Sequence, residues 1–196
     1  MLINYKNIII SIILITFLFG CSSNDMKNFS NKKPVLNLYK FFEGETIAYG
    51  IFEDRFGNLR RQFRVNIKGS IKNDLLILDE KFIYDDGEKD TRVWTIKKEK
   101  TDNDITKYSG SAKDIQGNAR GTANGNALNW TYEIYLNMKG NNLKVKFDDW
   151  IYQQDENVAI NRAYVSKFGI DIGSVTLVFL RGNAANTIGP LNLEKW

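Results

Sequence analysis

An all-β fold, an antiparallel meander of about eight to ten strands closed into a barrel, is what the sequence predicts. Three observations carry the prediction. Apolar and polar residues alternate through most of the chain after Thr46, Gly, Asn and Asp punctuate that alternation at short intervals, and no apolar stripe of helical period follows the N-terminal segment. Pro occurs only at positions 34 and 190, so nothing between them breaks a sheet.

The N-terminal segment stands apart from this pattern. Met1 to Asn7 carries a single cation, Lys6, and Ile8 to Phe19 is apolar apart from Ser11 and Thr16. An apolar core of about 12 residues is too short for an ordinary membrane-spanning helix, so residues 1–20 are expected to be a signal peptide. Leu18, Phe19, Gly20 and Cys21 resemble the lipobox of bacterial lipoproteins, which implies cleavage before Cys21 and acylation of its sulfur. Acyl chains contribute about 0.8 kcal/mol per buried methylene, enough for two or three of them to hold a protein on a bilayer. Ser22 after the lipidated Cys, by likeness to Gram-negative sorting rules, implies the outer membrane with the body facing the periplasm. Residues 21–35 are polar and are expected to form a flexible tether, letting the body float roughly 20 Å from the lipid. Residues 36–196 then form a single domain, large enough for a core of its own.

Within that body the alternation fixes individual strands. Phe63, Val65 and Ile67 share a face; Leu76, Leu78, Phe82 and Tyr84 share another; Leu128, Trp130, Tyr132, Ile134 and Leu136 keep phase over five positions. Turns are expected at Phe56-Gly57-Asn58, Asp85-Asp86-Gly87, Gln116-Gly117-Asn118, Asn124-Gly125-Asn126 and around Lys139-Gly140, where residues that tolerate positive φ cluster. Short helices are expected only within 33–42 and around 183–186. So many strands must manage their edges, and closure removes them, which favours a lipocalin-like barrel over a two-sheet sandwich.

Composition excludes more than it proposes. The chain has no His, so Ser-His-Asp and Cys-His chemistry and His-ligated metals are ruled out. Its single Cys is assigned to lipid, leaving no disulfide or thiolate site within one chain. No Gly-rich phosphate loop occurs, and no cofactor or metal is expected. Removing Lys6 lowers the net charge from +4 to about +3, too even a balance to indicate nucleic acid.

Interior charges are the anomaly with chemical meaning. Glu80 interrupts an apolar face, Arg92 shares a face with Trp94 and Ile96, and Arg162 shares one with Val158, Ile160 and Tyr164. If these faces point inward, the charges must be paired, either as a Glu80 to Arg92 cross-strand pair or with Arg92 or Arg162 holding a ligand carboxylate or phosphate. Around Asp148-Asp149 the alternation of Val145 and Phe147 gives way to that of Trp150 and Tyr152, which predicts a β-bulge there. Asp148 and Asp149 are weak candidates for an acid-base pair, since adjacent strand residues point to opposite faces.

A resemblance extends over Leu36 to Phe179. Phe42-x-Gly44, Ala48-x-Gly50, Asp54-Arg55-x-Gly57, Glu80-x-Phe82-x-Tyr84-x-Asp86-Gly87 and Arg92-x-Trp94 resemble a family of bacterial lipoproteins known as domain of unknown function 3833. Tyr108-x-Gly110, Asp114-x-x-Gly117, Asp148-Asp149-Trp150 and Asn161-Arg162-Ala163 through Lys167-Phe168-Gly169 extend it, with a departure at Val165. The resemblance implies a lipocalin-like architecture and no particular activity.

Together these readings lead to a lipid-anchored barrel that binds a lipid or other apolar small molecule. The expected ligand-binding residues are Glu80, Arg92, Trp94, Trp130, Tyr132, Trp150, Tyr152, Arg162 and Tyr164. An enzyme acting on a fatty-acyl or isoprenoid substrate, and a structural envelope lipoprotein, are the alternatives. The oligomeric state is left open.

Overall fold

The computed structural model describes residues 25–138 and 141–196. The expected signal peptide, Cys21 and the turn expected at Lys139-Gly140 lie outside the described residues. Ten antiparallel strands form a closed barrel: β1 Gly44–Asp54, β2 Leu59–Lys72, β3 Leu75–Tyr84, β4 Lys89–Asp102, β5 Ile105–Ser111, β6 Ala119–Asn124, β7 Ala127–Met138, β8 Asn141–Gln153, β9 Val158–Lys167 and β10 Ile170–Arg181. Each strand pairs with the next, and β1 closes on β10 from Thr46 opposite Arg181 to Asp54 opposite Gly173. Closure leaves no unpaired edge, which answers the liability that predicted it.

One end of the barrel is plugged. Helix α1, Leu38–Phe42, is capped by the Asn37 side chain, which accepts from the Lys40 amide at 3.1 Å. Leu38, Phe41 and Phe42 are buried in the barrel core, and Phe42 meets Phe179 edge-on at 5.2 Å between ring centres. The Tyr39 hydroxyl sits between the carbonyl oxygens of Asp74 and Ile96, at 2.9 and 3.0 Å, and accepts the Lys98 amide at 3.0 Å. Gly69 is required beneath this helix, because a Cβ there would fall 1.7 Å from the Phe42 carbonyl oxygen. At the other end lie the β1–β2, β3–β4 and β9–β10 hairpins and the β5–β6 loop, which packs Ile115 into the core, and among the described residues no helix covers that mouth.

Two outer faces are also covered. Helix α2, Gly182–Ile188, and the tail behind it build a small apolar cluster with Ile47, Ala185 and Leu191. Asn66 pins the tail by exchanging two hydrogen bonds with the Leu191 backbone, each 2.9 Å. On the opposite wall a 3-10 turn, Met26–Phe29, lays Phe29 against Trp150 and Tyr152 at 5.9 and 5.8 Å between ring centres. Asn124 Nδ2 donates to the Met26 carbonyl at 3.0 Å, and the Leu36 amide donates to Gly125 at 2.8 Å. Residues 25–35, expected as a loose tether, are therefore docked on the barrel. The reason is that Phe29 finds an aromatic surface that the strand alternation leaves on the outside.

The expected bulge at Asp148-Asp149 is not there. Register runs unbroken from Trp150 opposite Asn129 to Phe147 opposite Tyr132, and from Trp150 opposite Arg162 to Phe147 opposite Val165. The register shifts instead lie at Phe52/Glu53, Lys98/Lys100 and Asp171/Gly173. What looked like a phase slip is a continuous strand with apolar residues on both faces, one covered by the barrel interior and the other by Phe29.

Candidate functional site

The inner wall is built from one face of each strand. Opposed residues in an antiparallel ladder share a face, so Trp130 opposite Asp149 and Tyr132 opposite Phe147 place all four inside. By the same logic Glu80 and Arg92, directly opposite across β3 and β4, point inward with Leu78 and Trp94. Trp94 packs edge-on against Trp130 and Tyr132 at 5.7 and 5.3 Å between ring centres, and Tyr132 stacks on Phe147 at 5.1 Å. Glycines make room for these rings: a Cβ on Gly121 would lie 2.4 Å, and one on Gly110 2.6 Å, from the Trp130 ring.

Burial of the inward side chains varies over the lumen. Near the plug the inward side chains Ile67, Leu76 and Leu128 are buried completely. Toward the mouth Phe52, Phe82, Tyr84, Tyr132, Phe147, Val175 and Leu177 point inward but remain only half-buried. Alongside and beyond Tyr132 and Phe147 the inward Ile134, Val145 and Val165 are buried again, so the half-buried rings form a partly exposed aromatic belt within the mouth half.

A polar cluster sits at the floor of that half. Arg92 grips Asp114, from the β5–β6 loop, with Nη2 at 2.8 Å and Nε at 2.9 Å from Oδ2. The Glu80 to Arg92 pair expected from sequence is therefore a register partnership, and the bidentate contact goes to Asp114. Glu80 faces the lumen beside them, and among the described residues no side chain hydrogen-bonds to its carboxyl. Burial, opposed by the Arg92 charge and reinforced by Asp114 and Asp149, pushes its pKa up to about 7. Across the lumen Asp149 accepts from Asn161 Nδ2 at 2.8 Å, while its Oδ2 is buried without a hydrogen-bond partner. Burial pushes Asp149 up to about 6, against the lowering influence of Asn161, the Tyr132 hydroxyl and the Arg92 charge. Burial likewise holds the Tyr132 phenol well above its ordinary range. Burial disfavours the Arg92 charge, but Tyr132, Glu80 and Asp114 outweigh it and keep the guanidinium ionised.

Of the nine expected ligand-binding residues, Glu80, Arg92, Trp94, Trp130 and Tyr132 converge on this lumen. Trp150, Tyr152, Arg162 and Tyr164 are on the outer wall. Trp150 and Tyr152 are covered by Phe29, and Arg162 bonds Thr176 Oγ1 at 2.7 Å and lies 3.4 Å from Glu53. The inner face of β9 is instead Ala159, Asn161, Ala163 and Val165, all buried. Small residues are needed there because bulky neighbours already occupy the space: Phe179 stands directly opposite Ala159. A reading that takes the larger side chains as the inner face inverts this strand.

Asp148 and Asp149 point to opposite sides. Asp148 accepts from Asn129 Nδ2 at 2.5 Å on the outer wall, so the two carboxyls do not form a dyad. Asp114 and Asn161 were missed, since one lies in a loop and the other on a face that did not look internal. Among the described residues, no group of three His, Cys, Asp or Glu side chains is placed to hold a metal ion. A second concavity, a groove of about 490 Å³ lined by Lys144, Lys146, Tyr164, Phe168 and Asp171, lies on the outside of β7–β10.

No curated protein matches the chain. Among solved structures, the S-type phycobiliprotein lyase CPES from Guillardia theta is similar, with 9% identity and a TM-score of 0.52 over 82% of this chain and 99% of that one. At that identity the likeness concerns the fold, and it agrees with the lipocalin-like barrel. The family model described as "Protein of unknown function (DUF3833)" matches residues 15–181, a span holding all ten strands of the barrel, and the chain belongs to that family.

Proposed function

We propose that this protein is a lipid-anchored carrier or sensor that binds an apolar small molecule, a lipid among the possibilities, inside its barrel. The observation that carries the reading is the mouth half of the lumen, where inward-facing rings stay half-buried around a desolvated polar floor. A mostly apolar concavity with a few converging polar groups is the usual form of a small-molecule site. The likeness to a phycobiliprotein lyase supports a use for such a lumen without naming a ligand.

The anchor belongs to the same proposal. Acylation at Cys21 ties the chain to the outer membrane on its periplasmic side, and only three residues, four residue steps, then separate Cys21 from Asp25. At most about 14 Å of chain is available over that stretch. Because the Met26–Phe29 turn docks beside the plugged end, the mouth opens away from the lipid to which the chain is tied.

Native mass spectrometry of the purified protein after incubation with membrane extract tests the carrier reading. A retained adduct that disappears when Phe82 and Phe147 are both replaced by Ala is expected. Absence of any retained mass, with the fold intact by circular dichroism, removes the reading.

One observation favours a second reading. Glu80 and Asp149 titrate close to neutrality and face each other across the lumen, which suits proton exchange with a bound fatty-acyl or isoprenoid molecule. Lipid profiles of a deletion strain complemented with wild type or Asp149→Asn separate the two. A product that vanishes with Asp149→Asn while binding persists marks an enzyme.

A further inference from the structure

We infer that the luminal site selects an apolar molecule bearing a positively charged nitrogen and rejects free carboxylates. The inference rests on the carrier reading above and adds the chemistry of the ligand's polar end.

Charge in and around the lumen runs against that of the whole chain. The protein carries net +4, yet Glu80, Asp114 and Asp149 face a single cation, Arg92, at the luminal floor. Asp114 occupies the Nε–Nη2 edge of Arg92 and neutralises its charge, which weakens its pull on a ligand carboxylate. The adjoining lip repeats the imbalance. Arg61 lies over the Tyr84 ring, 3.6 Å from its centre, and is held by both Asp86 and Glu88. Asp90, in register with Phe82, adds another carboxylate on the same side. On the far lip Arg55 and Lys167 are drawn over the Phe56 and Phe168 rings at the hairpin tips. A low-dielectric cleft lined by one sign of charge concentrates counter-ions of the other.

Two features point to a ligand rather than to a neglected acidic patch. The Asp149 carboxylate is 6% exposed, and its Oδ2 makes no well-formed hydrogen bond although the Tyr132 hydroxyl stands beside the carboxyl, so a further donor would stabilise it. The Glu80 carboxyl opens onto the same space with no side-chain donor of its own among the described residues. The walls between them are aromatic, Phe82, Tyr84, Trp94 and Tyr132, and two of these rings already hold a cation, Arg92 over Phe82 at 5.9 Å and Arg61 over Tyr84 at 3.6 Å from the ring centre. Carboxyls in excess and aromatic walls together make a site for an alkylammonium or quaternary-ammonium group, with the mouth-lining rings taking the apolar remainder. When the cation enters, Glu80 and Asp149 release the protons they hold near neutrality, so its affinity rises with pH.

Three probes of equal chain length decide the matter: dodecyltrimethylammonium, dodecanol and dodecanoate, titrated into the purified protein while Trp fluorescence and heat are recorded. The fixed charge of the first means that any pH dependence belongs to the protein. At pH 8 the ammonium is expected to bind about tenfold more tightly than dodecanol, with dodecanoate weaker still. That preference should collapse by pH 5, and Glu80→Gln or Asp149→Asn should remove most of it, read as the ratio of ammonium to dodecanol affinity in each variant. Equal binding of ammonium and alcohol, or tightest binding of dodecanoate, overturns the charge selectivity and leaves the carrier reading standing. If none of the three binds the folded protein, the carrier reading fails and takes this inference with it. Should one variant misfold, the other variant and the wild-type pH series still give the answer.

Discussion

Replacing Glu80 by Gln should make the protein more stable, by an amount that grows with pH. In the folded state Glu80 holds its proton to about pH 7, whereas the unfolded chain releases it near the ordinary value of 4.5. Between those values the folded state binds more protons than the unfolded state, so stability falls as pH rises through the window. The gap corresponds to about 3 kcal/mol at about 1.4 kcal/mol per pH unit. Glu80→Gln removes that penalty, because a neutral amide of the same shape needs no deprotonation. At pH 4.5 the variant and wild type should therefore be nearly equally stable. By pH 8 the variant should gain roughly 3 kcal/mol, equivalent to about 6–12 °C in Tm for a domain of this size. Urea denaturation followed by Trp fluorescence at half-unit steps from pH 4.5 to 8.5 reads the difference directly. Asp149, raised to about 6, contributes a decline of its own to both proteins, smaller in the variant because the repulsion between the two carboxylates is gone, which widens the difference at high pH. Parallel stability profiles, or a wild-type profile that climbs from pH 5 to 8, would refute the claim that these carboxyls are desolvated in the lumen.

Three other outcomes follow from local geometry. Gly121→Ala places a methyl 2.4 Å from the Trp130 ring and should cost about 1–3 kcal/mol in urea denaturation, with a change in the near-ultraviolet dichroism of the Trp94–Trp130 pair. Asp114→Ala strands the Arg92 guanidinium, 18% exposed, without its partner and should cost about 3 kcal/mol; Arg92→Met in that background should recover part of the loss. Phe168→Asn should stabilise by about 1 kcal/mol, because Phe168 holds a φ of 52° at the β9–β10 tip with its ring 92% exposed, so the substitution relieves the backbone without uncovering core. A loss of thermal stability in Phe168→Asn would show instead that the ring has a packing role.

How far the site was legible in the sequence differs strand by strand. Along β3, β4 and β7 the inward phase was readable, because one face is apolar and the other faces water: Leu76, Leu78 and Phe82, Trp94 and Ile96, and Trp130, Tyr132 and Ile134 all point inside. On β8 and β9 that contrast fails. Trp150 and Tyr152 look like lumen residues, yet they serve a second, external contact with Phe29, a residue more than a hundred positions away. On β9 the larger side chains lie outside and Ala159, Asn161 and Ala163 inside, a pattern that hydrophobicity alone assigns backwards.

The sequence by itself determined the architecture and the chemistry that is absent. Period-two alternation and turn residues are local properties, set by the backbone's alternating side-chain directions and by the few residues that tolerate positive φ. A chain without His likewise needs no coordinates to exclude imidazole chemistry. Tertiary structure alone decided which carboxyl Arg92 pairs with, which Asp of the Asp148-Asp149 pair is internal, and that residues 25–35 dock rather than dangle. Each of these depends on what a distant segment brings to the other side of a strand, and an alternating pattern records that a face is covered without recording what covers it.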